Sequence, residues 1–168
     1  MKLDAQFTAK NNALFFLDGR PLSLDSCPCI DALSCTGDAL PQGDAPLCIV
    51  RLPWAQVGMD EESYNEEFLA QLRDWLKMLE NKKQYALMLP VSDAAVSDAQ
   101  KDDFCASMNH AARRIKDCTS VVGFAIPQGF STSDAESFMA LLAKKHGHYV
   151  YFSQDQGLLS QNAQVVKY

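Results

Sequence analysis

The stretch SVVGFAIPQGF, Ser120 to Phe130, decides how this chain folds. Its run of valine, phenylalanine, alanine and isoleucine up to Pro127 reads as a buried strand. In α/β proteins the carboxyl end of such a strand is where ligands are held. Beyond Pro127 the chain continues with Gln128, Gly129 and Phe130, and no carboxylate, histidine, lysine or thiol stands there. The segment predicts a buried strand and leaves the chemistry usually found at its end unassigned.

On either side of it, three more runs share its character: LCIVRLPW (Leu47 to Trp54), YALMLPV (Tyr85 to Val91) and HYVYFS (His148 to Ser153). Helical patterns separate them. Tyr64, Phe68, Leu72, Trp75, Leu76 and Leu79 form one apolar stripe, with Asp60, Glu61 and Glu62 predicted to open the helix and Lys82-Lys83 to close it. A second helix opens with Ser97 and Gln100 as a capping box and buries Phe104, Met108 and Ile115; a third pairs Ser133 with Glu136 and stops at Gly147. Pro53, Pro90 and Pro127 end three strands at intervals of 37 residues, the regularity that successive right-handed crossovers produce in a parallel sheet. Upstream, ALFFL, Asp18-Gly19 and RPLSL read as a β-hairpin with a type I′ turn. At the other end AQVVKY (Ala163 to Tyr168) offers one more short strand. The expectation is a single α/β domain over residues 1–168, a βαβαβαβ parallel sheet preceded by an N-terminal hairpin.

The totals bound the function. A formal charge of -6 and a pI near 4.9 argue against nucleic acid, whose nonspecific affinity needs clustered Lys and Arg. The N-terminal MKLDAQFTAKNN lacks the apolar run of a secretory signal, and no segment reaches the ~18 apolar residues of a membrane span. The expectation is a cytoplasmic protein with no membrane partner, its six cysteines reduced.

Three of these segments, taken in order, resemble the retaining glycoside hydrolases with a (β/α)8 barrel, the cellulase-like clan. FFLDGRPLSL resembles the hairpin those enzymes carry before the barrel, CIVRLPW their second strand with its arginine, and DFCASMNHAARRIKDCTSVVGFAIP the helix and fourth strand that precede their Asn-Glu-Pro motif. The resemblance implies a fold like half of such a barrel. It matches Arg51 to the family's strand arginine and Trp54 to an aromatic just after it. It supplies no acid/base glutamate, because Pro127-Gln128 or Gln128-Gly129 falls where Asn-Glu would be. The family's nucleophile lies on a seventh strand, beyond the four or five read here. Retaining hydrolysis needs two carboxyl groups roughly 5–5.5 Å apart, one of them protonated, and an amide cannot deliver a proton. The residues point to a noncatalytic, glycosidase-like protein that acts as a carbohydrate-binding or assembly module. The alternative is an enzyme whose site is completed by a second copy.

The loops after the strands supply the candidate ligand-binding residues: Arg51, Trp54, Gln56, Asp93, Gln128, Gln154 and Asp155. No catalytic residue is assigned and no cofactor is expected. Cys27, Cys29 and Cys35 lack the paired C-x2-4-C spacing of zinc sites, so no metal is expected either. His110, His146 and His148 fall on helices or their ends, away from those loops. A sheet of so few parallel strands has raw edges, which makes a homo-oligomer the structural expectation. An open flavodoxin-like sheet binding an anion near Ser131, Ser133 and Asp134 ranks last, because Asp134 would repel the ligand.

Overall fold

The computed structural model describes residues 2–37 and 45–168. The chain opens with an antiparallel pair, β1 (Phe7–Lys10) and β2 (Ala13–Phe16). The turn between them is Asn11-Asn12, with φ of 52° and 60°, the two positive values a type I′ turn requires. This corrects the hairpin read at Asp18-Gly19. That pair does reverse the chain, with Gly19 at φ 92°, but the returning arm makes only an isolated bridge, Phe15 to Pro21.

Six parallel strands succeed it in sequential order: β3 (Cys29–Asp31), β4 (Leu47–Pro53), β5 (Tyr85–Val91), β6 (Val121–Ala125), β7 (Val150–Ser153) and β8 (Val165–Lys167). Each pairs in parallel with the next. The crossovers carry α1 (Trp54–Val57), α2 (Glu66–Asn81), α3 (Lys101–Arg114), α4 (Thr132–Ala143) and α5 (Gln156–Gln161). The expected four strands and the tail strand are all present. β3, only three residues long inside a Cys- and Pro-rich loop, carries no period that sequence could reveal.

Several boundaries differ from the expectation for identifiable reasons. Asp60, Glu61 and Glu62 lie in the loop before α2; its cap is Asn65, whose side chain accepts the Phe68 amide, with Glu66 and Glu67 in the first turn. α4 is capped by Ser131 and Asp134 rather than Ser133 and Glu136, each side chain bonding the other's backbone N–H. Gln100 does accept from the Ser97 amide as expected. Pro90 sits inside β5, not at its end.

Strand order and handedness place every helix on one face. That face packs Val50, Leu52, Met88 and Phe124 against Leu72, Trp75, Met108 and Phe138. The opposite face holds Leu47, Leu87, Val122, Val150, Phe152 and Val166, and among the described residues no helix covers it; Phe7, Leu14 and Leu22 of the N-terminal segment do. The turn residue Asn12 fastens this plug. Its side-chain amide donates to the carbonyls of Leu159, Asn162 and Val165, and its backbone bonds Ala163 and Lys167.

Cys29 on the first strand of the sheet and Tyr168 just past the last line one cavity. A flat six-stranded sheet would hold its outer strands roughly 24 Å apart, so the sheet curls around the plug. Among the described residues β3 and β8 do not pair with each other, and the curled sheet stays open.

Candidate functional site

Side chains alternate along a strand, and this fixes what reaches the carboxyl end of the curled sheet. Leu47 and Ile49 of β4 face the plugged side; Arg51, two residues further on, carries the same orientation above the apolar layer. It lines a cavity of about 650 Å3 together with Cys29, Asp93, Gln128, Gln154 and Tyr168. A second cavity of about 590 Å3 shares Gln128, Gly129, Gln154 and Tyr168 with the first and adds Asp155. The two form one trough over the ends of β3 to β8. Leu89 and Val91 supply its apolar wall.

Arg51 has no acidic oxygen within 4.0 Å among the described residues. Asp31 stands beside it in register on β3, but its carboxylate accepts the Leu33 amide at 2.9 Å and caps a short 3-10 turn. Asp155 is committed in the same way, accepting the Leu158 amide at 2.7 Å as the cap of α5. Asp93 is exposed on the loop after β5 with no such duty. Gln128 Nε2 donates to Gln154 Oε1 at 3.4 Å across the trough. Half-buried Tyr168 has its phenol held above the usual range by burial and, secondarily, by the Cys29 thiol, so it is a neutral hydrogen-bonding group.

Five of the seven residues predicted from sequence therefore converge: Arg51, Asp93, Gln128, Gln154 and Asp155. Trp54 and Gln56 do not. The alternation that turns Arg51 inward sends Trp54 to the helix side, where it is 3% exposed. Its indole donates to Ser107 Oγ at 3.1 Å and its ring meets Phe104 edge-on at 5.1 Å. Trp54 is core, and Gln56 follows it on α1. Sequence reading missed Cys29 and Tyr168. For Tyr168 a signal existed, since it shares parity with Val166 on the plugged face; β3 was too short to give one for Cys29.

Outside the trough the other titratable groups have structural places. All six cysteines are free thiols. Cys35 and Cys48 are buried, which pushes both up to about 12, and no group of three or more His, Cys, Asp or Glu side chains among the described residues is placed to hold a metal. His110 stacks on Tyr64 and bonds Glu66; His146 and His148 lie at the opposite end of the sheet, before β7. At the start of α4, Asp134 is held by Lys101 at 2.6 Å. No helix among the described residues is long and apolar enough to cross a membrane.

No protein-family model matches the sequence, and no curated protein does. Among solved structures, a GH5_18 from Bifidobacterium longum subsp. infantis, a glycoside hydrolase of family GH5, superposes with a TM-score of 0.48 at 10% identity. The likeness covers 64% of this chain and 34% of the other. This chain thus spans about a third of that protein's length.

Proposed function

We propose that this protein is a noncatalytic carbohydrate-binding module whose ligand lies in the trough at the carboxyl ends of the parallel strands. One observation carries the reading: the trough presents amides, a phenol, a guanidinium and the carboxylates of Asp93 and Asp155. Gln128 and Gln154 each offer a donor and an acceptor, Asp93 accepts from hydroxyls, and the Tyr168 ring gives a face for stacking. That set suits a polyol with one apolar face. It suits glycoside cleavage less well, which needs two carboxyl groups set across the scissile bond: Asp31 and Asp155 each give one oxygen to a helix-cap amide, and the loop after β6 offers Gln128 and Gly129 with no carboxylate.

The test joins binding to turnover. Cys29 is exposed on the trough wall, so its alkylation by a maleimide reports occupancy. Saccharides that bind should slow that reaction saturably, and a panel of aryl β-glycosides should remain uncleaved. Turnover that disappears in Asp93→Asn would overturn the noncatalytic reading.

A second copy is favoured by the outer edge of β3, which has no strand partner among the described residues and also forms the trough wall through Cys29. Pairing there would bring the second copy's residues to the site, so a homodimer is part of the proposal. A monomer by light scattering at micromolar concentration would remove it.

A further inference from the structure

We infer that the trough selects an acidic saccharide, a uronic acid whose carboxylate pairs with Arg51. The inference rests on the carbohydrate-binding reading and adds the charge of the ligand.

Arg51 is the cation of the 650 Å3 cavity wall. A guanidinium presents five donors in a fork that matches a carboxylate in two parallel hydrogen bonds. Arg51 is exposed on the cavity wall, so its guanidinium is open to a ligand as well as to water. The neighbour in register, Asp31, turns its oxygen to the Leu33 amide, and no other acidic oxygen among the described residues comes within 4.0 Å. Arg73, Lys101 and Arg114, on the helices, have ion-pair partners, whereas Arg113 on α3, like Arg51, has none among the described residues. The cation that faces the trough has been left with its fork open.

The surroundings limit the anion to one charge. Asp31 is the register neighbour of Arg51 and Asp93 lines the same cavity, while no second cation does among the described residues. Asp93 and Asp155 line the trough and Asp31 stands beside Arg51, so a dianionic phosphate is repelled more strongly than a monoanionic carboxylate, which needs Arg51 alone as its partner. A carboxylate on a sugar ring meets a matched partner. Gln128, Gln154 and Asp93 remain for the ring hydroxyls, with Asp93 accepting from them.

The experiment titrates the full chain calorimetrically with glucuronate, galacturonate and mannuronate beside glucose, galactose and mannose, and repeats the series with glucuronamide, which keeps the shape of glucuronate without its charge. At least one uronate should bind about tenfold or more tighter than its neutral counterpart, the size expected of one charge-assisted pair in a half-wet site. Arg51→Gln should bring that ratio close to one, and Gln128→Ala should weaken both ligands by a similar factor. Circular dichroism melting of each variant separates loss of binding from loss of fold. Neutral sugars that bind as well as the uronates would overturn the acidic selectivity and leave the carbohydrate reading standing. Binding of neither class would overturn both.

Discussion

His146 lies 1% exposed just before β7, and neither ring nitrogen has a hydrogen-bond partner among the described residues. Its ring stacks on Tyr149 at 5.4 Å and lies 6.3 Å from His148. Burial, first, and the nearby His148, Lys116 and Arg113, second, lower its pKa from 6.5 to about 4. The folded protein therefore binds this proton less well than the unfolded chain does. Its contribution is fully present above pH 6.5 and is lost as pH falls from 6.5 towards 4. Integrated between pH 7.5 and pH 4.5, a shift of that size makes folding less favourable by roughly 2–3 kcal/mol, a large part of the ~5–15 kcal/mol of a typical domain. His146→Phe keeps an aromatic ring against Tyr149 and removes the titration. Urea unfolding of both proteins across this pH range isolates the effect, because carboxylates that titrate in both cancel in the difference. The wild type should lose roughly 2–3 kcal/mol more than the variant on going to pH 4.5, and at pH 7.5 the variant should be at least as stable. A difference between the two proteins that stays flat with pH would refute the burial of an uncharged His146.

Two further substitutions probe the curled sheet and its plug. A Cβ on Gly123, which pairs with Val150, would come within 1.7 Å of the Val150 carbonyl oxygen, so Gly123→Ala should cost on the order of 3 kcal/mol or more by pushing β6 and β7 apart; a urea midpoint shift worth less than about 1 kcal/mol would be incompatible with this pairing. Asn12→Ala removes three hydrogen bonds to the β8 end and puts alanine at φ 60°. It should destabilise by roughly 2–3 kcal/mol and expose the hairpin amides to faster hydrogen exchange, whereas unchanged exchange there would mean the plug is held by its apolar contacts alone.

The parallel sheet was legible because its inner strands are buried on both faces. LCIVRLP, YALMLPV and VVGFA are near-continuous apolar runs, and the stripe from Phe68 to Leu79 has helical spacing. The plug was not legible in the same way. Asn11-Asn12 makes the turn by tolerating positive φ, yet Asp18-Gly19 carries the stronger turn signal in sequence. At the site, strand parity decided the outcome. Arg51, Gln128 and Gln154 could be located from the strand ends alone, but an odd or even position separates Arg51, facing the trough, from Trp54, facing the helices. Tryptophan after a strand reads as a ligand platform until its parity with Val50 and Leu52 is counted. Cys29 was out of reach because a three-residue strand owes its existence to its neighbour, Ile49, rather than to any local pattern.

If the carboxyl-end trough is where this protein meets a sugar, its side chains must sense the ligand. Amide and side-chain chemical shifts recorded during titration of the labelled protein with glucuronate and glucose test this most directly. Saturable shifts are expected in the Arg51 guanidinium, the Gln128 and Gln154 side-chain amides and the Tyr168 ring, with the hairpin and the α2–α3 face unmoved. Shifts confined to that helical face, or none at millimolar sugar, would contradict it.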